Sequence, residues 1–205
     1  LPEGKSIIKP RSHCLQCNHE LAWYELIPIF AFLFLKGRCR NCHKRIPFYT
    51  FVAEFVTGLL FMGSYFYFGF SYNFYVSLFL ISLLILIFIS DFQYMIILDS
   101  PLLIAGLGIF LLKFFYFDIN VALYSLRDGL ILFLFMFAIA ILGKFLFKRE
   151  ALGGGDIKLS FIIGMTVGVS YGLMALVLST FLALPYATFS LLTNSSHEVP
   201  YGPFL

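Results

Sequence analysis

Long, unbroken apolar runs constrain this chain more than any other feature of its sequence. A helix needs about 20 mostly apolar residues to cross a hydrocarbon core, because lipid offers no partner for a backbone N–H or C=O. Candidate spans cover 48–70, 72–90, 101–117, 129–147, 157–169 and 171–192, the last two sharing one run that we divide at Gly168-Val169-Ser170-Tyr171-Gly172. Apolar residues follow one another without alternating, which argues against barrel strands. Only 12% of the side chains are charged and 60% are hydrophobic, with a mean hydropathy of +0.92. A soluble domain carries about 25% charge, so this composition excludes a water-soluble globule, a disordered chain and a secreted disulfide mini-protein. The expected fold class is an all-α polytopic membrane protein with about six transmembrane helices.

Charge sets the topology. Residues 1–45 hold eight Lys/Arg against Glu3, Glu20 and Glu25, a net of +5, whereas the rest of the chain holds six basic and eight acidic residues. No basic stripe leads into a nucleic-acid-reading motif, so no nucleic-acid partner is expected. Lys and Arg concentrate in cytoplasmic loops. The basic 1–45 head and the 144–158 loop (Lys144, Lys148, Arg149, Lys158) are separated by four spans and fall on one side, together with the 91–100 loop. The 118–128 loop, with Arg127 alone among basic residues, falls on the other. Residues 21–36 are apolar too, but they contain Glu25 and Pro28 and lie between two cysteine pairs, so they read as an interfacial or packed segment.

All four cysteines lie in the head, as Cys14-Leu-Gln-Cys17 and Cys39-Arg-Asn-Cys42, with 21 residues between the pairs. Each pair can present two thiolates to one side of a tetrahedron, and two such knuckles close a structural zinc site. Arg38, Arg40 and Lys44 would offset the thiolate charge. Two disulfides or two redox pairs are the alternatives; a cytoplasmic location argues against the first, and no thioredoxin-like strand pattern surrounds either pair. His13, His19 and His43 sit beside the cysteines, but four thiolates already fill the shell. The expected division is a cytoplasmic four-cysteine zinc-binding subdomain at 1–47 and a transmembrane domain at 48–205.

Acidic groups in or beside spans are costly to bury, and their default reading is functional. Asp91 follows the run Ser77–Ser90, and Asp156 closes Gly153-Gly154-Gly155-Asp156 just before another run. Both would lie at cytoplasmic ends of spans. Two carboxyls held close cannot both ionise easily, so one can act as base toward water while the other acts as acid toward a scissile carbonyl. The glycines permit an irregular backbone and close approach of an extended peptide. The competing reading is a turn with Asp156 capping the next helix. Asp99 precedes Ser100-Pro101, a helix-start signal, which favours capping. Glu54, within the first span, could pair with a cation, line a substrate path or bond a neighbouring helix.

The cysteine head, Asp91-Phe-Gln-Tyr-Met-Ile-Ile-Leu-Asp99 and Gly153-x-Gly155-Asp156 together resemble the bacterial type IV prepilin peptidases, which are GxGD aspartic proteases. Leu1-Pro2-Glu3-Gly4, Leu26-Ile27-Pro28, Gly37–Arg40, Ile46–Glu54 with Thr57-Gly58, and Pro200–Phe204 extend the resemblance along nearly the whole chain. Two departures are a leucine, Leu98, where the family often has proline, and the expected lack of the family's first helix and most of its last. The chain starts at Leu1 without Met and stops at Leu205 as an apolar run begins.

The resemblance implies cleavage of the basic leader of prepilins or pseudopilins after a glycine, at the cytoplasmic face of the bacterial inner membrane. It further implies methylation of the new N-terminal residue from S-adenosylmethionine. It places the catalytic pair on Asp91 and Asp156, with Asp99, Gly153, Gly155 and Glu54 supporting and Cys14, Cys17, Cys39 and Cys42 holding zinc. No glycine-rich nucleotide motif marks a binding site for S-adenosylmethionine. The rival functions are a zinc-stabilised membrane scaffold without chemistry and a proton or ion carrier. The carrier would need acids deep in several spans, whereas Asp91 and Asp156 fall at span ends.

Overall fold

The computed structural model describes residues 12–14, 17–94, 97–148 and 153–192. The quoted segments 1–4 and 200–204, together with Lys5, Lys9, Arg11 and Arg149, lie outside the described residues. The chain divides into two compact units, Leu1–Gly69 and Phe70–Leu205. Among the described residues the structure is helical, with two isolated β-bridges and no strand.

The first unit carries a 3-10 turn at Trp23–Leu26 and two helices, α1 (Phe30–Phe34) and α2 (Phe48–Phe68). In α2, Pro47 at the N-cap pre-sets the backbone angle for helix entry, and Gly69 ends the helix with a φ of +58°, where a side chain would be strained. Residues 21–36 thus form two short elements. Ile29 sits at φ +65°, a conformation strained for a β-branched residue. Its N–H donates to Glu54 Oε2 at 2.9 Å, and Phe32 on α1 stacks on Phe51 of α2 with ring centroids 4.9 Å apart.

The second unit contains α3 (Tyr72–Tyr94), α4 (Asp99–Tyr116), α5 (Ile119–Phe147) and α6 (Gly154–Leu192). Short connections between these helices force antiparallel neighbours. Leu83 and Ile87 of α3, Leu102, Ala105 and Ile109 of α4, and Leu159 and Ile162 of α6 form one buried cluster. Leu132 and Met136 of α5 pack with Ile157 and Leu176 of α6 in another. At the α5–α6 crossing a Cβ on Gly164 would lie 2.8 Å from both Asp128 O and Gly129 Cα. Small residues are what allow membrane helices to approach so closely.

Five helices are long and apolar enough to cross a membrane, against about six expected. The difference lies at the end: the expected spans 157–169 and 171–192 are the two helical parts of α6, separated at Gly168, whose φ/ψ of 82°/173° is not helical. Ile157 and Leu176 both pack with Leu132 and Met136, which a straight helix holding them ~28 Å apart would not allow. Two expected loops are also corrected. Asp91 lies inside α3 rather than after it. Residues 119–128 belong to α5, whose N-cap Asp118 accepts from Ile119 N–H at 2.7 Å. Arg127 and Asp128 end the apolar pattern there without ending the helix, because they pair with each other at 2.9 Å.

Candidate metal centre and candidate active site

Each cysteine pair is folded by the same local rule. His13 bridges Glu20, and Arg38 bridges Arg45, so in both knuckles the residue before the first cysteine pairs with the third residue after the second. In the first knuckle Cys14 N–H donates to His19 O and Asn18 N–H to Cys14 O, and in the second Cys39 N–H donates to Lys44 O and His43 N–H to Cys39 O. Asn18 and His43, each just after a second cysteine, both have a φ of +54°. His43 is thus a turn residue, and Asn and His tolerate that conformation better than most. His19 faces Glu25 instead, with Nε2 3.8 Å from the carboxylate.

All four Sγ atoms lie within 4.8 Å of one another. Cys14–Cys42 and Cys17–Cys39 are each 3.9 Å apart. A tetrahedral zinc with Zn–S bonds of about 2.3 Å has S···S edges near ~3.8 Å, so the donor set and spacing fit that ion. The Lys44 backbone N–H favours the Cys42 thiolate, yet partial burial and hydrogen bonds from the other three thiols prevail and push this thiol up to about 11. A bound cation reverses that balance by stabilising the thiolates.

In the second unit, Asp91 and Asp156 are both 6% exposed, and their carboxyls lie within electrostatic range of each other. One comes from the last turns of α3 and the other from the first turn of α6. The Gly153 N–H donates to the Asp156 carboxylate, and the Asp156 N–H donates back to Gly153 O at 3.2 Å. Asp156 therefore does help to cap α6. Its Oδ1 is nevertheless buried with no hydrogen-bond partner among the described residues, a costly arrangement that capping alone does not require.

The three glycines are not equivalent. A Cβ on Gly155 would collide with the Cβ of Ile97, whereas one on Gly154 would meet nothing within 4 Å. On Gly153 it would meet Asp156 Oδ2 at 3.0 Å. Gly155 is thus the position where close packing between the α3–α4 connection and α6 forbids a side chain.

Asp99 is the first residue of α4, whose N-cap is Leu98 without a side-chain cap bond, so the capping role favoured for it is corrected. Its Oδ1 instead accepts from Lys158 Nζ at 2.6 Å. This pair sits at the edge of an apolar cavity of about 680 Å³ between α4, α5 and α6, lined by residues such as Leu102, Leu130, Phe133, Phe161 and Met165. Glu54 belongs to the other unit and acts there on Ile29.

Sequence alone gave no role at the site to Ile97, Lys158 or Lys113. Lys113 Nζ donates to Met165 O at 2.5 Å, a carbonyl three residues before the Gly168 break. A lone cation inside an apolar run is itself a signal that could have found it.

The family model described as "Bacterial Peptidase A24 N-terminal domain" matches residues 1–68, and the one described as "Type IV leader peptidase family" matches residues 78–188. A Bacillus subtilis protein named prepilin leader peptidase/N-methyltransferase is 34% identical over 99% of this chain and 81% of its own length. A Vibrio cholerae protein of the same name is 31% identical over 94% of this chain and 76% of its own. One from Myxococcus xanthus is 34% identical over 80% of this chain and 49% of its own. No solved structure matches the chain.

Proposed function

The chain belongs to the type IV leader peptidase family, and on that premise we propose that it is the membrane-embedded aspartic endopeptidase of prepilins or pseudopilins. It removes their basic leader after a glycine at the cytoplasmic face of the bacterial inner membrane, and it then methylates the new N-terminal residue. The observation that carries this reading is the approach of two buried carboxyls, Asp91 and Asp156, from helices far apart in sequence.

The pair works with one carboxyl ionised and one protonated. The ionised carboxylate takes a proton from a water, whose oxygen adds to the scissile carbonyl carbon, while the protonated carboxyl gives its proton to the carbonyl oxygen. The tetrahedral species then collapses: a proton passes to the amide nitrogen, the C–N bond breaks and the leader leaves with a new carboxyl group. No covalent bond to the enzyme forms. The substrate's apolar helix enters from the bilayer, and the apolar cavity beside Asp99 and Lys158 supports lateral entry. Gly153 leaves room for the Asp156 carboxylate, Gly155 lets Ile97 pack on the first turn of α6, and Asp99 holds α4 to α6 through Lys158.

In the 1–47 head, Cys14, Cys17, Cys39 and Cys42 hold zinc, which supplies a cross-link and takes no part in hydrolysis. Residues 48–205 form the peptidase domain. For the second reaction S-adenosylmethionine supplies the methyl group.

The test is to reconstitute the chain in liposomes with a prepilin and S-adenosylmethionine and follow the product by mass spectrometry. The parent yields a mature chain cut after glycine and heavier by one methyl group, while Asp91→Asn and Asp156→Asn leave the leader in place. Unchanged leader removal by either variant overturns the catalytic assignment, and a parent that leaves the leader in place favours a scaffold.

A further inference from the structure

The 3-10 turn and α1 present a surface that water does not suit. Trp23 is 77% exposed, Phe30 59% and Phe34 83%, with Leu26 and Leu33 also exposed. These elements have four and five residues, far too few to cross a bilayer. Their inner side is spoken for. Phe32 packs on Phe48 and Phe51, the opening residues of the membrane-length helix α2, and Ile29 N–H bonds Glu54. Glu54 lies six residues beyond Phe48, about 9 Å along the helix axis. α1 is therefore held beside the first two turns of a span, which is the level of the lipid headgroups.

Cations adjoin the apolar side chains. A cleft of about 390 Å³ is walled by Tyr24, Ile27, Phe30, Phe34 and Arg40. The Arg40 guanidinium is bonded to the Tyr24 hydroxyl and lies 5.5 Å from that ring's centroid. A neighbouring cleft adds Lys36 and Arg38 beside Phe34. From Lys36 to Arg45 there are five cations and no acid. An apolar face edged by cations, with aromatic side chains among it, fits the interface of an anionic leaflet. A soluble protein partner would explain the apolar face, but neither the cations nor the attachment to the start of a span.

We propose that residues 23–40 form a membrane-surface anchor, in which Trp23, Leu26, Phe30, Leu33 and Phe34 enter the interfacial layer of an anionic leaflet and Lys36, Arg38 and Arg40 contact lipid phosphates. The anchor orients the cysteine head on the bilayer independently of any catalysis.

Trp23 is the chain's single tryptophan, so its fluorescence reports this face alone. The full chain is reconstituted in vesicles of phosphatidylcholine, or of equal parts phosphatidylcholine and phosphatidylglycerol, with lipids brominated high on the acyl chain or with iodide in the buffer. Brominated lipid is expected to quench Trp23 at least about twofold, and iodide to quench it weakly, with stronger lipid quenching in the anionic vesicles. Arg40→Gln, with unchanged metal content as the check on folding, should weaken that anionic preference. Quenching by iodide but not by brominated lipid would overturn the anchor by showing a water-exposed face. Protection from both quenchers would overturn it by showing a protein-covered one. Equal lipid quenching in both vesicle types, unaltered by Arg40→Gln, would overturn the phosphate contacts.

Discussion

The cysteine head and the aspartate pair are assembled in opposite ways. In the head, the spacing within each CxxC and the identical bridge and turn positions around it bring sulfurs within 3.9 Å across the knuckles. That organisation is local, and a metal would complete it. Asp91 and Asp156 are 65 positions apart and meet only because α3, α4 and α6 share a core. The head should therefore fail all at once when its cation goes. The aspartate site should fail by degrees as the packing between helices is disturbed, except when a carboxyl itself is removed.

The largest expected effect is the removal of a carboxyl. Asp91→Asn or Asp156→Asn should lower leader cleavage by about 10³-fold or more, in line with the loss of an acid–base group. Thermal stability and metal content should stay near the parent's. Next comes the metal. Chelation, or Cys39→Ser at the buried cysteine, should unfold the head, since structural zinc sites contribute about 10–16 kcal/mol of apparent binding free energy. Lowering the pH should release the metal as well, because protons compete for the thiolates and Cys42 holds its proton up to about 11 in the absence of a cation. Metal analysis across pH, beside circular dichroism, checks both. A chelated chain whose α3–α6 unit melts with the head would break the comparison.

What could be read from sequence follows the same line. The four-cysteine cluster was legible because CxxC encodes its own geometry over four residues. The cysteine gap gave no hint of the 3-10 turn and α1 within it, since both are held by contacts to α2. Helix ends were misread where polar residues stopped the apolar pattern but not the helix, as at Arg127-Asp128, whose charges neutralise each other. The division at Gly168 was legible from its glycines, and the helix breaks there. Asp91 and Asp156 stood out as acids at the same end of two spans, which suggested a pair, but their meeting is tertiary and depends on the packing of α3, α4 and α6. Lys158 and Ile97 were missed because their partners, Asp99 and Gly155, lie 59 and 58 residues away in the chain.

A smaller effect separates the glycines. At Gly155 an added Cβ would strike Ile97 at its own Cβ, an atom that cannot swing aside. Gly155→Ala should cost about 1–3 kcal/mol through overpacking and lower cleavage by roughly 10–100-fold by displacing the first turn of α6. Gly154→Ala meets open space and should leave cleavage unchanged, with stability the same or about 0.5 kcal/mol higher. Kinetics on a prepilin and thermal melts of both variants decide the matter. Equal sensitivity at the two positions would show that backbone freedom, and not contact with Ile97, is what the motif supplies.

The smallest effect belongs to Asp99 and Lys158. Their Oδ1–Nζ distance is short at 2.6 Å, but the side chains are 62% and 51% exposed, and exposed pairs couple by only about 0.2–1 kcal/mol. A double-mutant cycle of Asp99→Asn and Lys158→Gln, read by thermal melts, should therefore give a coupling below about 1 kcal/mol that disappears near 1 M salt, where screening reaches within ~3 Å. Cleavage by Asp99→Asn should stay within about threefold of the parent, because this carboxyl fixes where α4 begins against α6 and handles no proton. A loss as deep as that of Asp91→Asn would move the acid–base role onto Asp99. The second carboxyl would then be one the solvent reaches, and burial would no longer distinguish the groups that act from those that hold the helices in place.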